Sequence, residues 1–454
     1  MTQVALFSVG DPIAPSRPAG PAAPRYRRAD RRQVRLQMVD LDGLIPTDHR
    51  VRAVWDFAEG LDLSGLYARI RAVEGHAGRS PIDPKILLAL WLYATTEGIG
   101  SARALAELCE RHVAYQWLCG GVSVNYHTLS DFRVGHEEVL DDLLTQSVAA
   151  LMAQGVVTLE RAAQDGMRVR ASAGAASFRR EKTLRECLEA AQAEVERLRR
   201  ELAENPGATK SREQAARERA ARERKERVEE ALRQLPALQE KKKEQARRKG
   251  KKPEQEMTEE EKEKERKRRE ARVSTTDADS RVMKMPDGGY RPAFNVELAT
   301  EPGSQVIAGV EVTNSGGDFG QMVPMADQLE ERYGRVPGEL LVDGGFAKKA
   351  DIDQLGQRGV KVYAPVQAPK TESRSAYEPH ARDSAAVAEW RARMGTPEGR
   401  GIYKERAATA ECVNAAARNR GLYQFLVRGL PKVRAVALLF ALAHNCLRTV
   451  ALLG

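Results

Sequence analysis

Between Phe178 and Arg272 the chain is almost pure Arg, Lys, Glu, Ala and Leu, and this charge-saturated block separates two stretches with strand-like texture. Any fold that pairs those strands has to accommodate a long helical excursion between them. Within the block, Leu184, Leu188, Ala191, Val195, Leu198 and Leu202 alternate spacings of four and three, the seam of a coiled coil. Asn205, Pro206 and Gly207 predict a turn, Val228, Leu232, Leu235 and Leu238 a second helix folding back, and Thr258 with Glu261 the cap of a third charged helix. Both signs of charge are mixed, so the block reads as a solvated helical hairpin in preference to a DNA contact, although its lysine-rich 241–255 loop could reach phosphate.

On either side the texture differs. AAQDGMRVRASAG precedes the block, and RPAFNVELAT and SQVIAGVEVTN follow it, alternating as strands do. GQMVPMADQLEERYG reads as a helix, ELLVDGG as a buried strand, KKADIDQLGQRG as a helix and VKVYAPV as another strand, with PDGGYR a hairpin turn. This order describes a mixed sheet with helices on its faces, an α/β fold.

Residues 36–155 have helical periodicity instead. PIDPKILLALWLYATTEG offers Asp83 as N-cap, Pro84 at the first helical position and Gly98 as a stop. Ser101 caps the next helix, and Thr128 with Asp131 forms a weak capping box before another. Short helices joined by tight turns are helix-turn-helix-like, with a plain helical bundle as the equal alternative. Residues 1–35, rich in Pro, Ala and Arg, predict a flexible basic arm.

The 454 residues suffice for two or three folding units, and the formal net charge of +9 favours a polyanionic partner. Five scattered cysteines without a CxxC pair argue for reduced thiols and a cytoplasmic setting. The N-terminus places its charges after a proline-interrupted apolar stretch, the reverse of a secretory signal. The apolar VRAVALLFALAHNCLRTVALLG is broken by Arg434, His444, Asn445 and Arg448, which predicts a buried terminal helix and no membrane span. There is no P-loop, so no nucleotide cofactor is implied.

Two Asp-Gly pairs carry the chemical interest. Asp343 follows the apolar run LLV and precedes two glycines, the carboxyl end of a strand where functional groups gather. Asp165 stands at the start of its own strand-like stretch, so bringing the two together requires either an antiparallel pairing or a contribution from the preceding VVTLERAA. Clustered carboxylates repel unless cations neutralise them, and two Mg²⁺ (or Mn²⁺) ions roughly 3.5 to 4 Å apart can drive in-line phosphodiester attack. A third acid comes from the helix holding Tyr403, Arg406, Glu411 and Arg418, where Glu411 and Arg418 share a face across Ala415. Glu405 competes for that role. Asp277 and Asp279 read as structural or DNA-adjacent, and Asn295 as a satisfied core amide.

From STTDADSR through ELLVDGGFA the sequence resembles the catalytic core of bacterial insertion-sequence transposases of the DDE type, and PIDPKILLALWLYATTEGIGSARALAELCERHVAYQWLCGG with HTLSDFRVGHEE resembles the helical domain preceding it. The resemblance implies a ribonuclease-H-like sheet with Asp165, Asp343 and Glu411 as catalytic metal-binding acids. It implies that Asp165 lies on the central first strand, beside the strand leading to Asp343, and that the charged hairpin is inserted between the first two strands. Tyr403, Arg406 and Arg418 match a Tyr-x-x-Arg...Glu...Lys/Arg signature, and with Arg168 and Arg133 they are the expected phosphate or DNA contacts. Two departures stand out: CVNAAARNRG follows Glu411 where many relatives carry a bulkier, aromatic-containing sequence, and Arg418 replaces the commoner Lys.

The resulting expectation is a basic arm at 1–35, a helical DNA-binding domain at 36–155, a catalytic domain at 156–177 and 273–454, and a coiled-coil insertion at 178–272. Its activity would be metal-dependent cutting and rejoining of double-stranded DNA at terminal inverted repeats, by a homo-oligomer. A ribonuclease-H-like nuclease without strand transfer and a catalytically idle DNA-binding protein are the alternatives.

Overall fold

A computed structural model describes residues 41–72, 80–204, 211–248, 270–368 and 375–453, with Arg32, Met38, Asp40, Thr258 and Glu260 as isolated positions. The basic arm, the turn at Asn205 to Gly207, the lysine-rich segment beyond Arg248 and the third charged helix therefore lie outside the described residues. The fold is mixed α/β, 57% helical.

Eight strands are present among the described residues: β1 Arg161–Arg170, β2 Phe178–Arg179, β3 Val273–Ser274, β4 Arg281–Lys284, β5 Tyr290–Thr300, β6 Ile307–Thr313, β7 Glu339–Leu341 and β8 Lys361–Tyr363. β1 is central. It pairs antiparallel with β5 on one side and parallel with β7 on the other; β7 then pairs parallel with β8, while β4 and β6 pair antiparallel with the two halves of β5. The parallel strands need crossovers, and the helices Met322–Tyr333 and Lys349–Gln357 supply them. β2 and β3 form a separate two-stranded ribbon where the chain leaves and re-enters the charged block.

In that block, helix Glu181–Glu204 packs on helix Ser211–Arg248, and the eight residues 241–248 continue the second helix rather than opening a loop. The expected seam is partly seated: Leu184, Ala191 and Leu198 are buried, Leu188 and Val195 half-buried, and Leu202 exposed. Its base is closed by Ala231, Leu235, Ala271, Val273 and Ala278.

The helical region follows its local signals with one exception. Asp83 caps Pro84–Thr96 by accepting from Lys85 N at 2.8 Å, Gly98 takes φ +76°, and Ser101 caps Ala102–Arg111. The expected Thr128–Asp131 box is not used; Asn125 caps Tyr126–Gly135 instead, accepting from Thr128 N at 3.0 Å. Asparagine is as good a cap as serine or threonine, and it sits where the backbone is still extended.

Helix Leu430–Leu453 joins the helical region to the sheet in one core, packing on Pro84–Thr96, Tyr126–Gly135, Glu137–Ala153 and β6. By length and composition it could cross a membrane, yet Val433 and most residues from Ala435 to Cys446 are buried against protein. Its polar residues explain how. Asn445 accepts from Ile307 N and donates to Ile307 O, each at 2.8 Å, as a neighbouring strand would. Arg434 pairs with Glu137 and Asp141, and Arg448 Nε donates to Ser304 O at 2.7 Å. The helix start is held by Asp279, whose Oδ2 accepts from Leu430 N at 2.9 Å, and by Asp277, which accepts from Gly429 N at 3.3 Å. Asp277 and Asp279 are thus structural caps, and burial pushes the Asp277 carboxyl up to about 6.

Candidate active site

Asp165 lies in the middle of β1, not at its start, because Arg161 to Ala163 already pair with β7. The parallel register sets Ala163 opposite Leu341. Two residues beyond that last pair come Asp165, still within β1, and Asp343, just past the end of β7, near enough for Asp343 to raise the Asp165 pKa. Asp343 sits in the turn after β7, its Oδ1 accepting from Gly345 N at 2.7 Å, and fully buried Phe346 anchors that turn. Of the two ways the sequence left open for joining these aspartates, the run before Asp165 provides the one realised.

The third acid arrives on a continuous helical stretch formed by Pro397–Arg406, a π-helical turn at Ala407–Glu411 and Cys412–Asn419. Such turns cluster at functional sites because the extra residue rotates the side chains that follow it. Glu411 closes this turn and is 61% exposed at its side chain. It shares an exposed face with Ala415 and Arg418, as the sequence spacing required.

Arg406 ties the stretch to the sheet. Its Nη2 lies 3.1 Å from Asp165 Oδ1 and its Nη1 3.3 Å from Glu411 Oε1, so one guanidinium bridges the two acids. Asn414, one helical turn beyond Glu411, donates from Nδ2 to the other Asp165 oxygen at 2.9 Å. Burial raises the Asp165 pKa, Arg406 opposes that and Asp343 adds to it. For Arg406 burial acts against the charge, but Asp165, Tyr403, Asp343 and Glu411 together hold its pKa above the ordinary value. Tyr403, half-buried beside Arg406, has its hydroxyl pKa raised chiefly by burial. Glu405 is drawn away from the centre by Arg161, whose Nη1 lies 2.6 Å from Glu405 Oε2.

A second group of acids adjoins the first. A Cβ on Gly166 would lie 2.6 Å from Asp318 Oδ1, 2.8 Å from Glu297 Oε1 and 3.0 Å from Asn295 Nδ2, so only glycine fits after Asp165. Asn295 Nδ2 donates to Glu297 Oε1 at 2.6 Å and to Asp318 Oδ1 at 2.7 Å, while its own Oδ1 is buried without a partner. Asn295 is therefore half-satisfied rather than the fully satisfied core amide expected. Burial, then Asp318, pushes the Glu297 carboxyl up to about 8, which leaves it largely protonated at neutral pH. Asp318 also borders Asp343: a Cβ on Gly345 would lie 2.9 Å from Asp343 Oδ1 and 3.5 Å from Asp318 Oδ2. Sequence reading missed both Glu297 and Asp318; the signal available was the pairing of Glu297 in an otherwise apolar strand with the glycine-flanked GGDFG.

The remaining expected contacts differ in accessibility. Arg418 is exposed. Arg168 is committed to Asp318 Oδ2 at 3.1 Å and Gly316 O at 3.2 Å. Arg133 is buried inside the helical region, donating to Gly100 O with its guanidinium 4.7 Å from the Trp91 ring centre.

The donors that converge here are carboxylate oxygens, the set that hard divalent cations take. Among the described residues no three acids converge closely enough to hold a cation in this conformation; the Arg406 guanidinium supplies the positive charge between Asp165 and Glu411 instead.

Two family models match the chain. Residues 39–135 match a transposase domain family (DUF772) and residues 367–450 a transposase DDE domain family. The second span carries Tyr403, Arg406, Glu411 and Arg418, while Asp165 and Asp343 lie outside both. No curated protein and no solved structure matches the chain. A transposase domain in the helical region and a transposase DDE domain over the helix that meets Asp165 indicate a DNA transposase, similar to the DDE-type transposases of insertion sequences, enzymes that cleave DNA and transfer its strands.

Proposed function

We propose that Asp165, Asp343 and Glu411 are the catalytic carboxylates of this transposase, carried on a ribonuclease-H-like sheet. The observation that carries the reading is the β1–β7 pairing, which brings Asp343 near Asp165, together with the Arg406 bridge from Asp165 to Glu411. A central β1 antiparallel to β5 and parallel to β7 supports the fold assignment. In this reading 36–155 with the basic arm binds the terminal inverted repeats, residues 156–177 and 273–454 form the catalytic domain, and 178–272 is an insertion that helps to join two protomers.

The acids would hold divalent cations, Mg²⁺ or Mn²⁺ and two in number, which when bound activate the attacking oxygen and stabilise the departing one. Asp165 in β1 and Asp343 just past β7 would share them, and Glu411 would complete the set. Asn414 keeps Asp165 oriented. Arg406, between Asp165 and Glu411, would meet the non-bridging oxygens of the scissile phosphate, with exposed Arg418 on the flanking backbone. Water or a 3′-hydroxyl attacks phosphorus, the P–O3′ bond breaks and the 3′-oxygen leaves.

The test uses the chain with DNA that flanks its own gene. Asp343→Asn should keep DNA binding within about twofold yet abolish Mg²⁺-dependent cleavage, since a missing ligand at a charged transition state costs on the order of 10³-fold or more. Unchanged cleavage would defeat the assignment, and a labelled 3′-end recovered in joined product separates strand transfer from hydrolysis alone.

A further inference from the structure

The loop from Asn314 to Gly320, between β6 and helix Met322–Tyr333, sends two adjacent side chains in opposite directions. Asp318 points inward, only 9% exposed at its side chain, and is held by Asn295 Nδ2 at 2.7 Å and Arg168 Nη2 at 3.1 Å. Phe319 is 61% exposed, whereas every other phenylalanine among the described residues is buried or half-buried. The loop is kept in register by Gln321 N donating to Asp318 O at 3.2 Å and by Gly320 at φ +88°, a conformation that disfavours side chains. Beside the ring stands Lys348, its Nζ 5.8 Å from the ring centre and 2.7 Å from Asp351, on the segment that follows Asp343.

We propose that Phe319 is a stacking platform for a nucleobase next to the scissile phosphate, with Lys348 against the adjoining backbone. This rests on the catalytic reading of Asp165 and Asp343. The argument is positional. Asp318 is fixed among the acids, within 3.5 Å of the point where a Gly345 Cβ would lie, and Phe319 is the next residue, so its ring stands at the rim over which bound DNA must pass. A rigidly anchored, outward-facing aromatic next to a cation is what an unstacked base meets in single-strand and flipped-base recognition: its face is sequence-tolerant, and the cation takes the phosphate. A base moved out of the helix beside the cleavage point would leave the phosphate accessible to buried acids that a regular duplex cannot approach.

The experiment uses full-length protein and its own element end carrying 2-aminopurine at each nucleotide flanking the cleavage position in turn. For the wild type and Phe319→Trp, one position should show a fluorescence change on binding that is absent in Phe319→Ala. Phe319→Ala should cleave about tenfold more slowly, the loss of one stacked base, with binding of the repeat unchanged within twofold; Phe319→Trp should cleave within about threefold of wild type. Equal cleavage and equal fluorescence in Phe319→Ala would overturn the proposal, as would loss of self-association in that variant with the fluorescence intact. Asp343→Asn separates the two readings: it should lose cleavage but keep the fluorescence change. Cleavage by Asp343→Asn would sink the catalytic reading, while an inert Asp343→Asn beside a normal Phe319→Ala would sink the stacking proposal alone.

Discussion

Asn414 Nδ2 lies 2.9 Å from Asp165 Oδ2, joining a helix to the central strand across 249 positions of sequence. Asn414 is 4% exposed and its Oδ1 has no partner, so this bond orients the Asn414 amide and holds one Asp165 oxygen while Arg406 and Gly166 N hold the other. Asn414→Ala removes a donor to a buried carboxylate, a loss of about 1–3 kcal/mol, visible as a lower melting temperature and a slower cleavage step. Asn414→Asp should destabilise more, because it sets a like charge against Asp165. A variant Asn414→Ala that melts and cleaves as wild type does would show the bond to be incidental.

The bridging guanidinium supports a second expectation. Arg406 is 9% and Asp165 15% exposed at their side chains, and breaking such a pair leaves a buried charge, at a cost of about 3–5 kcal/mol. Arg406→Ala should lose stability on that scale. Mg²⁺ should recover part of it, giving a larger rise in melting temperature than in wild type, since a cation can replace the missing charge. An equal Mg²⁺ response in both proteins would argue against a shared electrostatic role.

Glu297 predicts a pH dependence. Its folded-state pKa of about 8 stands above the ordinary 4.5, chiefly through burial, so the folded chain binds more protons than the unfolded one between those values. Stability therefore falls as pH rises through that window, by at most about 1.4 kcal/mol per unit from this group. Glu297→Gln, which cannot ionise, should flatten the melting-temperature profile between pH 5 and 8. A slope equal to that of wild type would assign the titration elsewhere.

Asp279 accepts from Leu430 N at 2.9 Å and from Gln234 Nε2 at 2.6 Å, linking the start of the core helix to the charged block. Removing an N-cap carboxylate costs about 0.5–2 kcal/mol. Asp279→Ala should lower thermal stability by that amount while leaving repeat binding unchanged in a gel-shift titration. A loss of DNA binding without a loss of stability would instead return Asp279 to the DNA-adjacent role.

Sequence alone determined what short-range physics encodes: the caps at Asp83 and Ser101, the strands β1, β5, β6, β7 and β8 of the sheet, the hairpin at PDGGYR and the buried terminal helix. Where it erred locally, at Asn125 against Thr128, two good caps competed three residues apart, and only the backbone's turn into the helix chose between them. Tertiary structure alone decided who meets whom. That Asp343 comes near Asp165 depends on the β1–β7 pairing, that Glu405 is drawn off depends on Arg161, and that Asn295, Glu297 and Asp318 gather around Gly166 depends on β5 pairing antiparallel with β1 and on the loop after β6. Propensity and periodicity act over a few residues, whereas these meetings are set by strand pairing and core packing between segments far apart in the chain.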